Sequence, residues 1–469
     1  MIAMSLKQIA EQLKAEAPNS ELVIEQIFTD TRKTVEHGLF IALRGDRFDG
    51  HDYLEQARES GAVAAVVEKV MDCELPQVKV NDSLHAMGTL GRAVRQKLNL
   101  PLVSITGSSG KTSVKELIAS ILSQSHEVLA TEANYNNEIG VPLTLFRLND
   151  RHEFAVIEMG AGQAGDIDYT SFVAVPDVAI ITNIGTAHIE RMGSVEGIFE
   201  VKSECLNHIR NHGAAVLPED PRFLKAWQSR IENLDGDILL KTFQIDFTKS
   251  SAADYRATGI VINEQGCAGF TAETPHGSFP VELNIPGKHN IANALAAMAA
   301  TDHLKVSQQD MQQGINQCGL VGGRLKTLKL ENGLTIIDDT YNANPESVVA
   351  AIDLLVSLSG KSLLILGDMA ELGDTTEAGH QRVGDHAREH ALTGLITCGT
   401  KSQTASDSFG DAAQHFNSKQ ELIGQLSALT EGYEQILVKG SRSAGMEEVV
   451  DALVVLYNRS HNNSQNKGD

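Results

Sequence analysis

The chain has 469 residues, 42 % of them apolar, and its 39 Lys and Arg against 61 Asp and Glu give a formal net charge of −22. The length suggests about three domains, and the composition excludes a long disordered or fibrous protein. The acidity argues against a general binder of nucleic acid or anionic membranes, which needs a cationic face, but it leaves room for a local basic pocket.

The pattern of cysteines and the first 18 residues both predict a protein of the reducing cytosol. No CxxC pair occurs, so neither a disulfide framework nor a zinc site is expected. Residues 1–18 lack the unbroken apolar core of an export signal, and no run reaches the roughly 18 apolar residues of a membrane span. We therefore expect a cytoplasmic protein. The five cysteines are Cys73, Cys205, Cys267, Cys318 and Cys398.

Residues 1–83 predict a small α/β domain. Short apolar runs at 39–43 and 62–67 are typical of strands, and a polar, helix-like segment at 51–60 lies between them. A succession of strand, helix and strand in about 80 residues fits such a domain.

Residues 84–320 predict a larger unit built on a parallel sheet. A buried-strand pattern at 102–106 is followed by a Gly/Ser turn and a helical run at 111–124. Helical patterns also separate the later strands, which indicates helices on both faces of the sheet. Residues 259–279 suggest an antiparallel patch, and 291–300 suggest a buried helix. The later strand candidates are 128–131, 154–158 and 177–184.

Residues 321–469 predict a third unit in which strands and helices alternate again. No internal repeat of 20–50 residues is visible. The polar, Asn-rich tail at 460–469 is expected to be disordered. The strand candidates are 334–338, 363–366, 395–397 and 436–438.

The strongest chemical signal is TGSSGKTS at 106–113, between a predicted strand and a predicted helix. Glycines let backbone N–H groups point at phosphate oxygens, the helix start adds a positive dipole end, Lys111 adds a charge and Thr112 can hold Mg²⁺. The usual GxxxxGK[ST] pattern would place its first Gly at Ile105, so an ordinary turn is the alternative. The predicted phosphate-binding residues are Gly107, Ser108, Ser109, Gly110, Lys111, Thr112 and Ser113.

Glu158 and His188 follow later strands of the same unit. The carboxyl ends of parallel strands share one edge, where ligands bind, so both side chains could approach the phosphate loop and bind a metal. Each alone is more often structural. Lys202 lies on a helical stretch, where a solvated surface lysine is the simplest interpretation. A lysine binds no cation unless it is deprotonated or modified.

Further polar residues stand at predicted helix starts and strand ends. Asn290 is placed to cap the Ala-rich helix, and capping is at least as well supported as a ligand contact. Asn344 is predicted as an N-cap residue and Pro345 as the first helical residue. Asp338 and Asp339 end a strand, where carboxylates often meet ribose hydroxyls, with simple turn chemistry as the alternative.

Together and in order, these residues resemble the Mur ligases, the ATP-dependent amide-forming enzymes of peptidoglycan synthesis. Each motif alone is modest, but the ordered set spans essentially all three units and is highly specific. The signatures are TGSSGKTS, ANYNNEIGVPLTL from Ala133, GKHNIANALAA, DDTYNANPES and LGDMAELG from Leu366.

The resemblance implies a UDP-sugar-peptide-binding domain at 1–83, a central P-loop ATPase domain at 84–320 and a C-terminal Rossmann-like domain at 321–469. Closure of the cleft between them would assemble the site. The implied reaction joins D-alanyl-D-alanine to UDP-N-acetylmuramoyl-tripeptide. ATP would phosphorylate the tripeptide carboxylate, and the dipeptide amine would attack the acyl phosphate. A monomer that binds no nucleic acid and does not insert into membranes is expected.

The resemblance also implies which groups offset the negative charges of ATP and of the tripeptide carboxylate. Lys111 and two Mg²⁺ ions would offset the repulsion between the carboxylate and the γ-phosphate. Thr112 and Glu158 would hold the first ion. His188 and Lys202 would hold the second, with Lys202 carbamylated and therefore an anion. The nucleotide contacts are matched to Arg324 for the γ-phosphate, Asn290 for adenine and Asp339 for the ribose.

The same resemblance assigns contacts with the other substrates. Asn136 and Asn137 match positions that face the UDP-muramoyl substrate. The cationic groups of KGSR at 439–442 could meet the dipeptide carboxylate, although a strand-to-helix loop explains them equally well. The residues that resemble the uridine-site region are Thr31, Arg32, Arg44, Asp49 and His51.

Other functions remain open from the sequence alone. A related ligase could add a different amino acid or extend folate with glutamate, but DDTYNANP and the N-terminal domain argue against the folate relative. A P-loop switch or transport ATPase would leave Lys202 and the third domain unexplained. A catalytically silent scaffold would not need the matched positions, all of which are intact. The third residue of the acceptor peptide, lysine or diaminopimelate, is left open.

Overall fold

The computed structural model describes residues 2–16, 21–45, 48–319, 325–330 and 333–465, with side chains described as far as 457. The N-terminal, central and C-terminal regions each contain a mainly parallel sheet with flanking helices, so the predicted α/β class is confirmed. Across the described ranges, no helix is both long and apolar enough to cross a membrane.

The N-terminal region is built on a small parallel sheet. Its strands are β1 (Met4–Ser5), β2 (Val23–Ile24), β3 (Gln26–Phe28), β4 (Gly38–Ile41), β5 (Ala62–Val67) and β6 (Gln77–Lys79). Its helices are α1 (Leu6–Leu13), α2 (Leu54–Glu59) and α3 (Ser83–Leu98), with a 3₁₀ turn at Gly50–Tyr53. The sheet has the order β3-β4-β5-β6, and β1 pairs separately with β2. The predicted strand–helix–strand succession is present as β4, α2 and β5.

The central region contains nine strands and eight helices among its described residues. Its strands are β7 (Leu102–Thr106), β8 (Val128–Ala130), β9 (Phe154–Glu158), β10 (Val178–Ile181), β11 (Ala214–Pro218), β12 (Leu239–Phe243), β13 (Arg256–Ile262), β14 (Cys267–Thr274) and β15 (Gly277–Pro286). Its helices are α4 (Lys111–Leu122), α5 (Gly140–Leu145), α6 (Asp166–Ala174), α7 (Ile189–Met192), α8 (Val195–Ser203), α9 (Leu224–Glu232), α10 (His289–His303) and α11 (Gln308–Gln317), with a 3₁₀ helix at Glu204–His208.

These strands form two sheets. The main sheet is parallel throughout, with the order β12-β11-β10-β7-β9-β8. Strands β13, β14 and β15 form the antiparallel patch that the sequence predicted at 259–279. The sequence did not predict β11 and β12. Strand β12 is the edge strand and is partly exposed, so it lacks a continuous buried apolar run.

The C-terminal region has a second six-stranded sheet. Its strands are β16 (Lys326–Lys329), β17 (Thr335–Asp339), β18 (Ser362–Gly367), β19 (Gly394–Cys398), β20 (Ala413–Phe416) and β21 (Gln435–Lys439). Its helices are α12 (Pro345–Ser357), α13 (Thr376–Glu389), α14 (Gln403–Phe409), α15 (Lys419–Leu429) and α16 (Glu447–Gln465), with 3₁₀ turns at Gly373–Thr375 and Arg442–Ala444. The order is β16-β17-β21-β18-β19-β20, with β16 antiparallel to β17.

Helix α16 extends into the tail that was predicted to be disordered. It continues to Gln465, so that prediction is wrong for 460–465, and 466–469 lie outside the described residues. The apolar stripe earlier in α16 is buried in the C-terminal core, and a helix once formed adds a hydrogen bond with each further residue.

Apolar side chains cover both faces of the central sheet. Helices α4, α10 and α11 pack on one face together with the antiparallel patch, and α3, α5 and α6 pack on the other with the N-terminal region. The predicted buried helix is α10, in which residues 294–300 have no exposed surface. Because five of these seven residues are alanine, the backbone of α10 lies close to α4 and the sheet.

The single tryptophan of the chain joins two helices of the central region. Trp227 on α9 is fully buried, and its Nε1 donates a 2.8 Å hydrogen bond to Oγ of Ser203 on α8. Its ring packs with those of Phe199 and Phe223. This cluster fixes α8, which also carries Lys202.

The order of the central sheet places its loops around one edge. Strand β7 lies between β10 and β9, so the chain leaves β7 toward β8 and β9 on one side and later fills the other side with β10, β11 and β12. Ligands bind at such a switch point, beyond the carboxyl ends of the strands. The segments that follow β7, β9 and β10 therefore open on the same edge.

Candidate active site

The loop between β7 and α4 requires glycine at two positions. Gly107 has a φ of 146° and Gly110 has a φ of 79°. A residue with a side chain would be strained at either angle. A Cβ on Gly107 would lie 1.9 Å from Oγ1 of Thr182, and one on Gly110 would lie 2.6 Å from Oδ1 of Asn293. The loop therefore runs tightly against β10 and α10. The predicted strand–turn–helix context of TGSSGKTS is confirmed.

Residues after β10 hold this loop in shape. The backbone N–H of Ser108 donates to the backbone carbonyl of Asn183 at 3.2 Å. The backbone N–H of Ser109 donates to Oδ1 of the Asn183 side chain at 3.1 Å. Oγ1 of Thr182 donates to the Ser109 carbonyl at 2.6 Å. The loop is thus organised by the protein itself, so phosphate would meet it without a large rearrangement.

Thr112 and Glu158 lie together beneath the loop. Oγ1 of Thr112 donates a 2.7 Å hydrogen bond to Oε2 of Glu158, and Nδ2 of Asn136 donates a 2.9 Å bond to Oε1. Both Thr112 and Glu158 are buried. A hydroxyl and a carboxylate are oxygen ligands of the kind that Mg²⁺ prefers, so the pair fits the first predicted ion. Nζ of Lys111 donates to the carbonyl of Gly107 at 2.8 Å.

Lys202 is fully buried, so its interpretation as a solvated surface lysine is wrong. It lies on the same face of α8 as Ile198, one helical turn away, and that face packs into the core. Among the described residues, its Nζ has no hydrogen-bond partner. Burial, and after it the positive charge of Lys111, lowers the pKa of Lys202 to about 7. A large fraction is therefore a neutral amine at pH 7.

His188 lies just before α7, in a left-handed backbone conformation with φ 63°. Its Nδ1 is 2.6 Å from Oε2 of Glu371, which belongs to the C-terminal region. Burial lowers the pKa of His188, and the positive charges of Lys202 and Lys111 lower it further. The negative charge of Glu371 acts in the opposite direction and raises the pKa. The ring is thus favoured in its neutral form, which is the form that binds metals.

A cleft of about 1030 Å³ opens between the central and C-terminal regions and collects many predicted site residues. Gly107, Thr112 and Lys202 are buried rather than lining it, and Arg324 lies outside the described residues. The predicted residues along its wall are Ser108, Ser109, Gly110, Lys111, Ser113, Asn136, Asn137, Glu158, His188, Asn290, Asp339, Lys439 and Arg442.

Asn290 does not cap α10, so that prediction is wrong. The helix already begins at His289, because Gly287 has a φ of 101° and turns the chain directly out of β15. Asn290 lies in the first turn, where Nδ2 donates to the Pro286 carbonyl at 2.7 Å and Oδ1 accepts from Nδ2 of Asn293 at 2.8 Å. Its buried amide therefore supports the wall of the cleft.

Asp339 and Lys439 form a largely buried ion pair at the ends of β17 and β21. Nζ of Lys439 is 2.5 Å from Oδ2 of Asp339 and donates to the carbonyl of Asn342 at 2.9 Å. Lys439 thereby joins two strand ends. Arg442, whose side chain is 71 % exposed, is the more accessible cation of the KGSR segment.

The start of α12 follows the prediction. Asn344 is the N-cap residue, with Oδ1 accepting from the N–H of Ser347 at 2.8 Å, and Pro345 is the first helical residue. Asp338 accepts hydrogen bonds from N and Oγ1 of Thr340 (3.2 and 2.7 Å), which is the turn chemistry that the sequence left as an alternative.

The residues predicted for the uridine end belong to the N-terminal region and are not among the described residues that line this cleft. Arg32 donates to Asp30, which lowers the pKa of Asp30 to about 2. Asp49 contacts Arg44 at 3.0 Å and the buried His51 at 2.5 Å. The hydroxyl of Thr31 is 3.4 Å from Oε1 of Gln56. The structure thus gathers these residues into polar clusters away from the phosphate loop.

Two carboxylates of the C-terminal region line the cleft without having been predicted as site residues. Glu371 contacts His188, and Glu346 accepts hydrogen bonds from Oγ1 of Thr186 at 2.9 and 3.0 Å. Both lie inside motifs that the sequence highlighted, LGDMAELG and DDTYNANPES. Their partners are more than 150 residues earlier in the chain, so local patterns could not identify the contacts.

Comparison with protein families gives three consecutive matches. The Mur ligase family catalytic domain matches residues 23–106, the Mur ligase middle domain matches 105–301, and the Mur ligase glutamate ligase domain matches 323–442. Together they cover most of the chain.

Two named relatives match the chain almost end to end. The chain is 40 % identical to the UDP-N-acetylmuramoyl-tripeptide–D-alanyl-D-alanine ligase of Escherichia coli (strain K12), covering 97 % of this chain and 99 % of that protein. It is 34 % identical to the ligase of the same name from Bacillus subtilis (strain 168), with the same coverage of 97 % and 99 %.

Solved structures agree with these relatives. The crystal structure of MurF from Acinetobacter baumannii matches with a TM-score of 0.90 at 34 % identity, covering 96 % of this chain and 98 % of that one. MurF ligase from Thermotoga maritima in complex with ADP matches with a TM-score of 0.80 at 26 % identity, covering 91 % and 96 %. Since the family models match most of the chain and these relatives align with it over nearly its full length, the chain belongs to the Mur ligase family.

Proposed function

We propose that this protein joins D-alanyl-D-alanine to UDP-N-acetylmuramoyl-tripeptide and releases ADP and phosphate. Relatives that carry this activity in their names align with nearly the whole chain. The observation that carries the proposal at the site is Lys202, a buried amine without a hydrogen-bond partner among the described residues. A simple ATPase has no need of such a group, whereas a ligase needs extra charge where the acyl phosphate forms.

The chain's residues fit two Mg²⁺ ions if Lys202 is modified. Thr112 and Glu158 would hold the first ion, and His188 with the Lys202 carbamate would hold the second. When bound, the ions would supply positive charge at the phosphate and acyl-phosphate oxygens. An unmodified ammonium has donors only and cannot serve as a ligand, so the assignment of the second ion depends on the modification.

Carbamylation follows from the chemistry of a neutral, buried amine. Nζ of Lys202 attacks the carbon of CO₂, a C–N bond forms as one C–O π bond breaks and its electron pair moves to oxygen, and one proton leaves the nitrogen for solvent. The product is a carbamate anion. Because the pKa of Lys202 is lowered to about 7, the neutral nucleophile is well populated under ordinary conditions. The negative carbamate would be drawn to the cationic side of the phosphate loop, where Lys111 lies.

The phosphate loop and the cleft would orient two successive attacks. In the first, the tripeptide carboxylate attacks the γ-phosphorus and ADP leaves. In the second, the dipeptide amine attacks the acyl carbon, loses a proton, and phosphate leaves. Lys111 and the loop N–H groups that Asn183 does not engage, beginning with that of Gly110, would stabilise the charge on the phosphates, with Ser108 and Ser109 shaping the loop around them. Thr112 and Ser113 would complete the loop.

The three proposed domains, 1–83, 84–320 and 321–469, would divide the substrates between them. The first would bind the UDP end, with Asn136 and Asn137 of the second facing the muramoyl part. Asn290 and Asp339 would contact adenine and ribose, Arg324 would reach the γ-phosphate, and Arg442 would meet the dipeptide carboxylate. The first domain would use Thr31, Arg32, Arg44, Asp49 and His51. We propose a cytoplasmic monomer.

The test is phosphate release from Mg-ATP with UDP-N-acetylmuramoyl-tripeptide, measured with and without D-alanyl-D-alanine. We expect release only when both are present, together with a UDP-muramoyl-pentapeptide product. Running the lysine and diaminopimelate forms of the tripeptide side by side identifies the third residue. Release without either acceptor would indicate an ATPase switch instead, and turnover only with another amino acid would move the protein elsewhere in the family.

The matched variants are Lys111→Ala and Lys225→Ala. Lys111 starts α4 beside the phosphate loop, whereas Lys225 is exposed on α9. We expect Lys111→Ala to lower kcat by roughly 10²–10³-fold with the fold intact, because a donor to the phosphates is lost, and Lys225→Ala to leave it unchanged. Full turnover in Lys111→Ala would contradict the phosphate-loop assignment.

A further inference from the structure

The segment that carries His188 is held from outside its own domain. Oγ1 of Thr186 donates to Glu346 at the start of α12, and Nδ1 of His188 lies 2.6 Å from Oε2 of Glu371, in the loop after β18. The backbone N–H of Glu190 also points at the carbonyl of Glu371, at 3.4 Å. Two carboxylates of the C-terminal region therefore contact one short segment of the central region.

The loop that presents Glu371 is fixed within the C-terminal region. Asp368 accepts hydrogen bonds from the backbone N–H groups of Thr400, Lys401 and Ser402. The backbone N–H of Met369 donates a 3.1 Å hydrogen bond to Nε2 of the buried His380. Because these anchors all belong to the same region, Glu371 must move with it.

The segment that receives the two carboxylates is joined to the phosphate loop. The backbone N–H of Gly185 donates to Oγ of Ser108 at 2.9 Å, next to Thr186. Both residues of the longer-range contact have left-handed backbones, with φ 63° at His188 and φ 60° at Glu371. Such conformations persist only where surrounding contacts hold them, and they concentrate at functional sites.

We propose that Glu346 and Glu371 form a two-point latch that couples closure of the C-terminal region to the second metal site. Glu346 holds the segment through Thr186. The carboxylate of Glu371 lies 2.6 Å from Nδ1 of His188, and this negative charge favours a proton on Nδ1. A proton on Nδ1 leaves Nε2 of His188 as the ligand nitrogen, since a neutral imidazole protonated on one nitrogen presents its lone pair on the other. Glu346 and Glu371 are positioning residues. The latch rests on the proposed function, because it assumes that His188 binds a cation.

The first test counts Mn²⁺ ions by electron paramagnetic resonance, with a non-hydrolysable ATP analogue and UDP-N-acetylmuramoyl-tripeptide present. We expect two ions in the wild type. In Glu371→Ala we expect the second ion to bind about 10–100-fold more weakly and the first to bind unchanged. Glu371→Gln should recover most of the affinity, because its amide oxygen still accepts from Nδ1. The exposed Glu377, on α13, supplies the matched control Glu377→Ala, which should behave as wild type.

Unchanged affinity in Glu371→Ala, or a Gln variant as weak as the Ala variant, would overturn the latch. Ligase turnover of the wild type, measured in parallel, distinguishes a failure of the latch proposal from a failure of the proposed ligase function. An active wild type with an unaffected Glu371→Ala rejects the latch alone. A wild type that takes up only one ion rejects the latch together with the second metal site, and an inactive wild type rejects the proposed function.

The second test is a double-mutant cycle between Thr186→Val and Glu346→Ala, read as kcat and as KM for ATP. If the two residues act through their mutual contact, the double variant should be no slower than the slower single variant, with KM for ATP nearly constant. The cycle also removes the contribution of Arg382, which pairs with Glu346 inside the C-terminal region at 3.3 Å. Fold-losses in kcat that simply multiply would refute the coupling.

Discussion

Lys202 shows how burial changes what a single side chain can do. On the surface it would be a permanent cation, whereas its environment here lowers its pKa to about 7, so that its neutral form is well populated at pH 7. We expect Lys202→Ala to lose ligase activity and to regain part of it with formate or acetate, because a small carboxylate can occupy the space of the carbamate. Turnover close to wild type without any added carboxylate would contradict the metal role.

The same burial predicts a pH-dependent stability. The unfolded chain keeps the Lys202 proton up to about pH 10.5, whereas the folded chain releases it near pH 7, so the penalty of burying the amine is full below pH 7 and fades toward 10.5. In CO₂-free buffer, wild type should therefore gain unfolding free energy relative to Lys202→Met between pH 7 and 10, by on the order of 4 kcal/mol. Urea unfolding measures this, and parallel pH curves for the two proteins would refute it.

At this scale the sequence predicted residue types better than environments. The Asn344 cap was predicted correctly because its signal is local, an Asn followed by Pro before an apolar helix. The Asn290 cap was wrong because Gly287 starts the helix earlier. The prediction that Glu158 and His188 lie at the edge where the phosphate loop opens is confirmed, since both line the cleft. The burial of Lys202 was not, since it depends on how α8 packs.

At the scale of elements, the tight contact between the phosphate loop and β10 gives a direct test. Gly107→Ala would push a Cβ into Oγ1 of Thr182 and would also strain a φ of 146°. We expect the unfolding free energy to fall by roughly 1–3 kcal/mol and ATP-dependent turnover to be lost.

Gly424 supplies the opposite case. It lies exposed within α15, and a Cβ there would meet nothing within 4 Å. Gly424→Ala should raise the unfolding free energy by about 0.5–1 kcal/mol and leave turnover unchanged. If the two substitutions had equal effects, the steric argument for Gly107 would fail.

Most central strands were easier to predict than edge strands, with two exceptions in the main sheet: the edge strand β8 was predicted, and the interior strand β11 was not. Strands β7, β9 and β10 carry continuous buried apolar runs because neighbours and helices cover them on every side. Strands β12, β16 and β20 lie at or next to exposed edges and mix buried with exposed residues, so none was predicted. Their positions follow from sheet order, which is a property of the whole chain.

For the whole molecule, the described contacts between the central and C-terminal regions at the cleft are mainly polar. Such regions tend to unfold separately. Trp227 reports only the central region, whereas far-UV circular dichroism reports every helix and strand. Without ligands we expect the two urea midpoints to differ, and ADP with the UDP-tripeptide should bring them together. Coincident midpoints without ligand would contradict this.

These cross-region contacts are also the part of the site that the sequence could not provide. Glu371 and Glu346 are visible as letters in two motifs, but nothing local says that they meet His188 and Thr186. Each of these contacts depends on how the central sheet and the C-terminal sheet are placed relative to each other, and the local sequence pattern of neither sheet specifies that placement.

The alanine-filled middle of α10 has a consequence for how mutational data on this protein will be understood. Residues 294–300 have no exposed surface, so a larger side chain would have to displace α4 or the sheet, and a polar one would be buried without a partner. In a saturation scan scored by cell growth, this stretch should stand out as an intolerant block directly after the part of α10 that lines the cleft. Its intolerance would arise from packing, and a map of sensitive positions would overstate the extent of the catalytic site there.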